Sequence, residues 1–341
     1  MLRTLEAVPT ALLDTDPTGL NALLGGPTLL HLPGRRPEPL FVTALLHGNE
    51  DTGFFAVRDL LRRYQGKTLP RALSVFIGNV AAAEQGLRRL DGQPDYNRVW
   101  PGSEEPSTAE HAMMAEVVET MAQRKVFASV DLHNNTGINP HYGCVNRIDH
   151  RYLHLATLFS RTVVYFTRPR GVQSQAFSKL CPAVTVECGQ PGQPHGIAHA
   201  RDYLDACLRL ADIPVHPVPL HDIDLFHTVA VVKVPRHISF GFGDAPGDIQ
   251  FLADLDHYNF RELSEGTLLA WVDSALPAQP LEAWDETGRD VSARYFRLEN
   301  GQLRLRRSLM PSMFTLDARI VRQDCLGYLM ERYELIDAER A

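Results

Sequence analysis

Up to about residue 212, apolar runs of strand length alternate with segments of helical period, and this alternation most narrows the folds open to the chain. "PLFVTALLHG" (39–48) leads into "DTGFFAVRDLLRRYQG" (51–66), whose Phe54, Val57, Leu60 and Leu61 share one helical face. "ALSVFIGN" (72–79), "VFASVDLH" (126–133), "RTVVYFT" (161–167) and "PAVTVECG" (182–189) are further strand candidates. Between and after them, "STAEHAMMAEVVETMAQRK", "YLHLATLFS" and "GIAHARDYLDACLRLA" have helical period, and Ser107 and Glu110 stand at capping-box spacing before the first of these. Strands this apolar are buried on both faces, so the pattern predicts an α/β fold: a mostly parallel or mixed sheet with helices on both faces.

"DIPVHPVPL" (212–220) breaks the alternation with three prolines. Beyond it "FHTVAVVKVP", "GTLLAWVD" and "ARYFRLENGQLRLRR" are β-rich, and Asn300-Gly301 is a hairpin-turn pair. The expected organisation is a catalytic α/β domain over residues 1–213 and a smaller, mostly antiparallel β domain over 214–341.

Composition removes several classes of function. A net charge of -7 argues against general nucleic-acid binding, which rests on clustered Lys and Arg. No stretch approaches the roughly 20 apolar residues of a membrane span, and Glu6, Pro9 and Asp14 interrupt the N-terminus where a signal peptide has its apolar core. The 5 cysteines are odd in number and form no CxxC pair, which fits a reducing compartment. The expected location is the cytoplasm.

In open α/β sheets ligands bind beyond the carboxyl ends of the strands, and the unusual polar residues collect there. His47 and Glu50 follow one strand, Asn79 ends the next, Asp131 and His133 end a third, and Glu187 ends a fourth. A catalytic zinc takes three protein ligands and keeps an open position. His47, Glu50 and His133 supply such a set, with Asp131 placed to orient an imidazole. In a chain of 14 histidines a single one is more often structural than ligating, so the weight rests on three matching residues at strand ends. His195 and His199 have the i,i+4 spacing of a helical metal pair, but they open an amphipathic helix and read as surface or capping residues. His141, His150 and His154 have no third ligand nearby and read as structural.

Glu187 closes an otherwise apolar strand, where a carboxylate is costly to bury without a task. It is either a general base or the partner of a nearby arginine, and its position favours the base. In "LRRLDGQPDYNRVWPG" (87–102), Arg88, Arg98 and Asn97 are suited to carboxylates and oxyanions, while Arg89 reads as a solvated cation.

Together "HGNE" (47–50), "GN" (78–79) followed by Arg88, "DYNR" (95–98), "DLHNNTG" (131–137) and "VECG" (186–189) resemble the aspartoacylase and succinylglutamate desuccinylase family, relatives of zinc carboxypeptidases. "HDIDLFHTVAVVKVP" and "LDHYNFRELSEGTLLA" resemble its C-terminal β domain. The resemblance implies a zinc carboxypeptidase-like fold and one zinc ion on His47, Glu50 and His133. It implies that Glu187 is the catalytic acid/base, that Arg88 polarises the scissile carbonyl, and that Asn97 with Arg98 holds the substrate's α-carboxylate. The implied enzyme is a zinc metallohydrolase of non-peptide amide bonds, cleaving a small-molecule N-acyl amino acid, with no nucleic-acid or membrane partner. Assembly into a homo-oligomer stays open. A metallo-exopeptidase is the alternative enzyme, and a non-catalytic binding protein is the alternative of another class. Where aspartoacylases carry an arginine that reads the substrate side chain, this chain has "QSQAFSK", with Arg168, Arg170 and Lys179 nearby.

Overall fold

The computed structural model describes residues 2–277 and 279–335, and the chain divides into two compact units. The first takes the chain through Asn134 together with His141–Asp224; the second takes Asn135–Pro140 together with the chain from Leu225. The proline-rich stretch after residue 211 therefore lies within the first unit, where Ile213, Val218 and Ile223 are buried.

The first unit is built on one mixed sheet. Its strands are β1 (Arg3–Leu5), β2 (Thr28–Leu32), β3 (Gly34–Ala44), β4 (Leu69–Ile77), β5 (Ala128–His133), β6 (Tyr142–Val145), β7 (Thr162–Tyr165) and β8 (Ala183–Glu187), in the order β1-β2-β4-β3-β5-β8-β6-β7. The central strands β4, β3, β5 and β8 are parallel, whereas β2 on β4 and β6 on β8 are antiparallel. Its helices are α1 (Leu20–Leu24), α2 (Thr52–Arg63), α3 (Val80–Glu84), α4 (Ala109–Gln123), α5 (His150–Thr157), α6 (Gln173–Phe177) and α7 (Pro194–Arg209).

Helices cover both faces, and the side-chain parity of β5 shows it. Leu132 packs against α2, where a Cβ on Gly53 would come within 2.7 Å of it. Ser129, one of the alternate set, bonds Gln173 of α6 on the other face. On that second face Phe41 stacks on Phe177, with ring centroids 4.5 Å apart. At the far end of the unit, buried Arg71 lies over the Phe127 ring and donates to the carbonyls of Glu38, Leu210 and Ala211, so it satisfies the carbonyl end that follows α7.

Several local expectations shift. The capping residue of α4 is Thr108, not Ser107, and the side chain answering it is His111, not Glu110: Thr108 N–H donates to His111 Nδ1 at 3.0 Å. Strands β2 and β6 and the short helix α6 have no counterpart in the sequence reading. The 5 cysteines are free and buried, and among the described residues no helix is long and apolar enough to cross a membrane.

The second unit is mostly antiparallel β. It contains β9 (Asp224–Lys233), β10 (Phe240–Phe242), β11 (Ile249–Phe251), β12 (Leu268–Val272), β13 (Glu282–Trp284), β14 (Phe296–Glu299), β15 (Gln302–Leu305), β16 (Met310–Ser312) and β17 (Gly327–Arg332). One sheet runs β10-β11-β12-β15-β14, and β16, β17, β9 and β13 pair in that order. Asn300 and Gly301 both have positive φ, 50° and 74°, the two-residue turn that Asn-Gly favours between β14 and β15. Val232, Phe251, Leu255, Phe296, Leu303 and Leu329 belong to its core.

Candidate metal centre and catalytic site

The site grows out of the carboxyl ends of β3, β4, β5 and β8. After β3 the chain turns sharply: Leu45 takes a positive φ of 58°. Gly48 then passes so close to α3 that a Cβ there would lie 2.2 Å from Ala83 N. This approach fixes the loop carrying His47 and Glu50. His133 is the last residue of β5, and Glu187, last in β8, stands opposite it in register.

His47, Glu50 and His133 converge, buried, and each offers a ligand atom within 4.8 Å of the others. His47 Nδ1 lies 2.7 Å from Glu50 Oε1, and His133 Nδ1 lies 2.7 Å from Glu50 Oε2. The outer nitrogens meet other carboxylates: His47 Nε2 lies 2.9 Å from Asp95 Oδ1, and His133 Nε2 lies 2.9 Å from Asp131 Oδ2. Asp131 is itself held by the Thr43 hydroxyl. Each imidazole thus has a carboxylate at both nitrogens; with a cation in the site, Asp95 and Asp131 would hold the proton on Nε2 and leave Nδ1 free to ligate. That donor set, two imidazoles and a carboxylate, fits a divalent metal ion.

The electrostatics agree. Burial and Arg88 would lower the His47 pKa, but Glu50 and Asp95 raise it above the ordinary value. Burial opposes charge on His133 as well, yet Asp131 and Glu50 push its pKa well up. Burial alone would raise Glu50, and the two histidines overcome it and hold it far below the usual carboxylate range. Without a cation, protons on the imidazoles balance the carboxylates, and a bound metal would take their place.

Arg88 reaches into the same cluster, with Nη1 3.5 Å from Glu50 Oε1 and Nη2 2.9 Å from Asp95 Oδ2. Its neighbour Arg89 turns away and bonds the Gln93 carbonyl. Asn97 is buried between the two carboxylate–histidine pairs, and Arg98 is half-buried with Nη1 2.8 Å from the Asn97 carbonyl. Glu187 is 5% exposed. Burial pushes its pKa up to about 7; His133 opposes the shift, and Glu50 and Asp131 add to it.

Other singled-out residues fall elsewhere. Asn79 caps α3 through Ala82 N–H and bonds Gln93. His141, His195 and His199 form a stacked group of their own, and His199 Nε2 donates to the Phe159 carbonyl. His154 bonds the His216 carbonyl. Arg168 and Arg170 both pair with Glu104. Sequence reasoning missed Asp95 as a partner of His47 and Arg88. Its one signal was an acid placed two residues before Asn97 in an arginine-rich loop.

A mixed α/β sheet carries at its strand ends a buried two-histidine, one-glutamate cluster that could hold a metal ion, and comparison gives the chain a family. The succinylglutamate desuccinylase/aspartoacylase catalytic domain matches residues 38–210, just over half of the chain. The chain belongs to that family, and its fold is the zinc carboxypeptidase-like fold of the desuccinylases. Succinylglutamate desuccinylase from Chromobacterium violaceum is similar over 89% of this chain and 87% of its own, at 18% identity and a TM-score of 0.56. A succinylglutamate desuccinylase/aspartoacylase from Rhodobacter sphaeroides is similar over 89% and 88%, at 15% identity and a TM-score of 0.58. Murine aminoacylase 3 is similar over 88% and 96%, at 16% identity and a TM-score of 0.56. No curated protein matches the chain.

Proposed function

We propose that the protein is a zinc-dependent hydrolase that cleaves the amide bond of a small N-acyl amino acid, acting in the cytoplasm. The observation that carries this reading is the buried His47–Glu50–His133 cluster with Glu187 in register beside it. Membership of the deacylase family supports the choice of bond. His47, Glu50 and His133 would hold the zinc, which makes water acidic near neutral pH and polarises a carbonyl.

The chain's own residues account for the remaining steps. Glu187, with its pKa raised into the neutral range by burial, accepts a proton from the attacking water at its carboxylate and returns it to the leaving amine nitrogen. Arg88 brings a guanidinium to the cluster that stabilises the oxyanion as the carbonyl carbon becomes tetrahedral. Arg98, with Asn97, holds the substrate's α-carboxylate and so sets the amide in line. Asp95 and Asp131 keep both histidines in the tautomer that binds a cation.

The test is hydrolysis of N-acetyl, N-formyl and N-succinyl amino acids and of dipeptides by zinc-loaded and chelated protein. The reading predicts zinc-dependent release of the amino acid from an N-acyl substrate. Cleavage of dipeptides alone would make the protein an exopeptidase.

A further inference from the structure

Asn97 touches both of the carboxylates that stand behind the histidines. Its backbone N–H donates to Asp95 Oδ1 at 2.8 Å. Its side-chain Nδ2 lies 3.1 Å from His133 Nε2 and 3.5 Å from Asp131 Oδ2. When His133 carries its Nε2 proton toward Asp131, as the metal reading requires, the amide is a second donor to that carboxylate. The amide could in principle face the other way. One bond prevents it: Gln173 N–H donates to Asn97 Oδ1 at 2.9 Å, and a flipped amide would set two donors against each other.

Gln173 is itself unusual. It is fully buried, its Nε2 donates to Ser129 Oγ on β5 at 2.6 Å, and among the described residues its Oε1 is buried with no hydrogen-bond partner. A buried carbonyl without a donor is destabilising. Ser129 lies on the same face of the strand as Asp131 and His133, so the side chain ties the start of α6 to the strand that carries the ligand.

We infer that Asn97 is a clasp aligning both carboxylate–histidine pairs, and that Gln173 is the positioning residue that sets the clasp through its main-chain N–H. The inference rests on the metal reading above and gives Asn97 a task distinct from holding substrate.

Proline substitution isolates the key bond. Gln173 is the first residue of α6, and Val172 before it is extended (φ −87°, ψ 153°), a setting that tolerates proline. Gln173→Pro removes the N–H together with the side chain, and Gln173→Ala removes the side chain alone. Asn97→Asp keeps the shape but sets an oxygen against Asp131. Zinc affinity, measured on the full chain by competition with a chromophoric chelator, should fall about 10–100-fold in Asn97→Asp and Gln173→Pro. In Gln173→Ala it should stay within about threefold of wild type. Melting of the metal-free Gln173→Pro protein within a few degrees of Gln173→Ala separates this effect from misfolding. If wild type binds zinc and Asn97→Asp and Gln173→Pro bind it equally well, the clasp is refuted and the deacylase reading stands. If wild type binds no zinc, the deacylase reading fails, and the clasp with it.

Discussion

Glu187 and His133 stand side by side, paired in the parallel register of β8 and β5. The two backbones thereby set a buried carboxyl and a candidate metal ligand at neighbouring strand ends, with no loop between them to move. Rigid strands hold such a pair more closely than loops can.

Glu187→Gln keeps the shape and removes the proposed base. Turnover should fall about 10²–10⁴-fold while zinc content stays at the wild-type level. Steady-state kinetics beside metal analysis of the same sample checks both, and a mutant with full activity would remove Glu187 from the mechanism.

The same residue makes a prediction about stability. Its pKa rises from the ordinary 4.5 to about 7. The folded, metal-free chain therefore holds a proton there that the unfolded chain releases at lower pH. A carboxyl shifted upward costs nothing below about pH 4.5, and its cost grows as pH rises toward 7 and is complete above it. The full cost is about 3 kcal/mol. In chelator, Glu187→Gln should be more stable than wild type at pH 8 and close to it at pH 4.5. A difference independent of pH in denaturant titrations would contradict the assignment.

Arg88 and Arg89 are adjacent in sequence and divergent in space. Arg88 faces Glu50 and Asp95, and Arg89 faces a loop carbonyl. Arg88→Ala should lower kcat about 10²–10³-fold, and Arg89→Ala should change it less than about threefold. Equal effects in parallel assays would show that the oxyanion is met elsewhere.

Buried Arg71 has a structural role remote from the chemistry. Arg71→Met removes donors from the carbonyls of Glu38, Leu210 and Ala211 and should destabilise the protein by about 2–4 kcal/mol. Zinc affinity should not change. Denaturant unfolding and a zinc titration of the same variant test the two halves.

What could be read from the sequence follows a physical division. His47, His133 and Glu187 stood out because each closes an apolar run, where a polar side chain is conspicuous, and Glu50 because it stands three residues after His47. The central strands were visible as those same apolar runs. Strands β2 and β6 were not: β2 is five residues long with a histidine next to its last residue, and β6 is four residues carrying a glycine. The helix cap slid by one residue because Ser107 and Thr108 are both good caps and the chain path chooses between them. Asp95 and Gln173 were out of reach for another reason. Their partners lie 48 and 76 positions away, and no periodicity announces contacts so distant in sequence.

The central claim is tested most directly by stripping the protein of metal and returning zinc stepwise while following release of free amino acid from N-acyl amino acids. The account predicts no release without metal and a rise that saturates at one zinc per chain. Hydrolysis that survives complete chelation, or zinc bound at one per chain with no N-acyl amino acid cleaved, would contradict it.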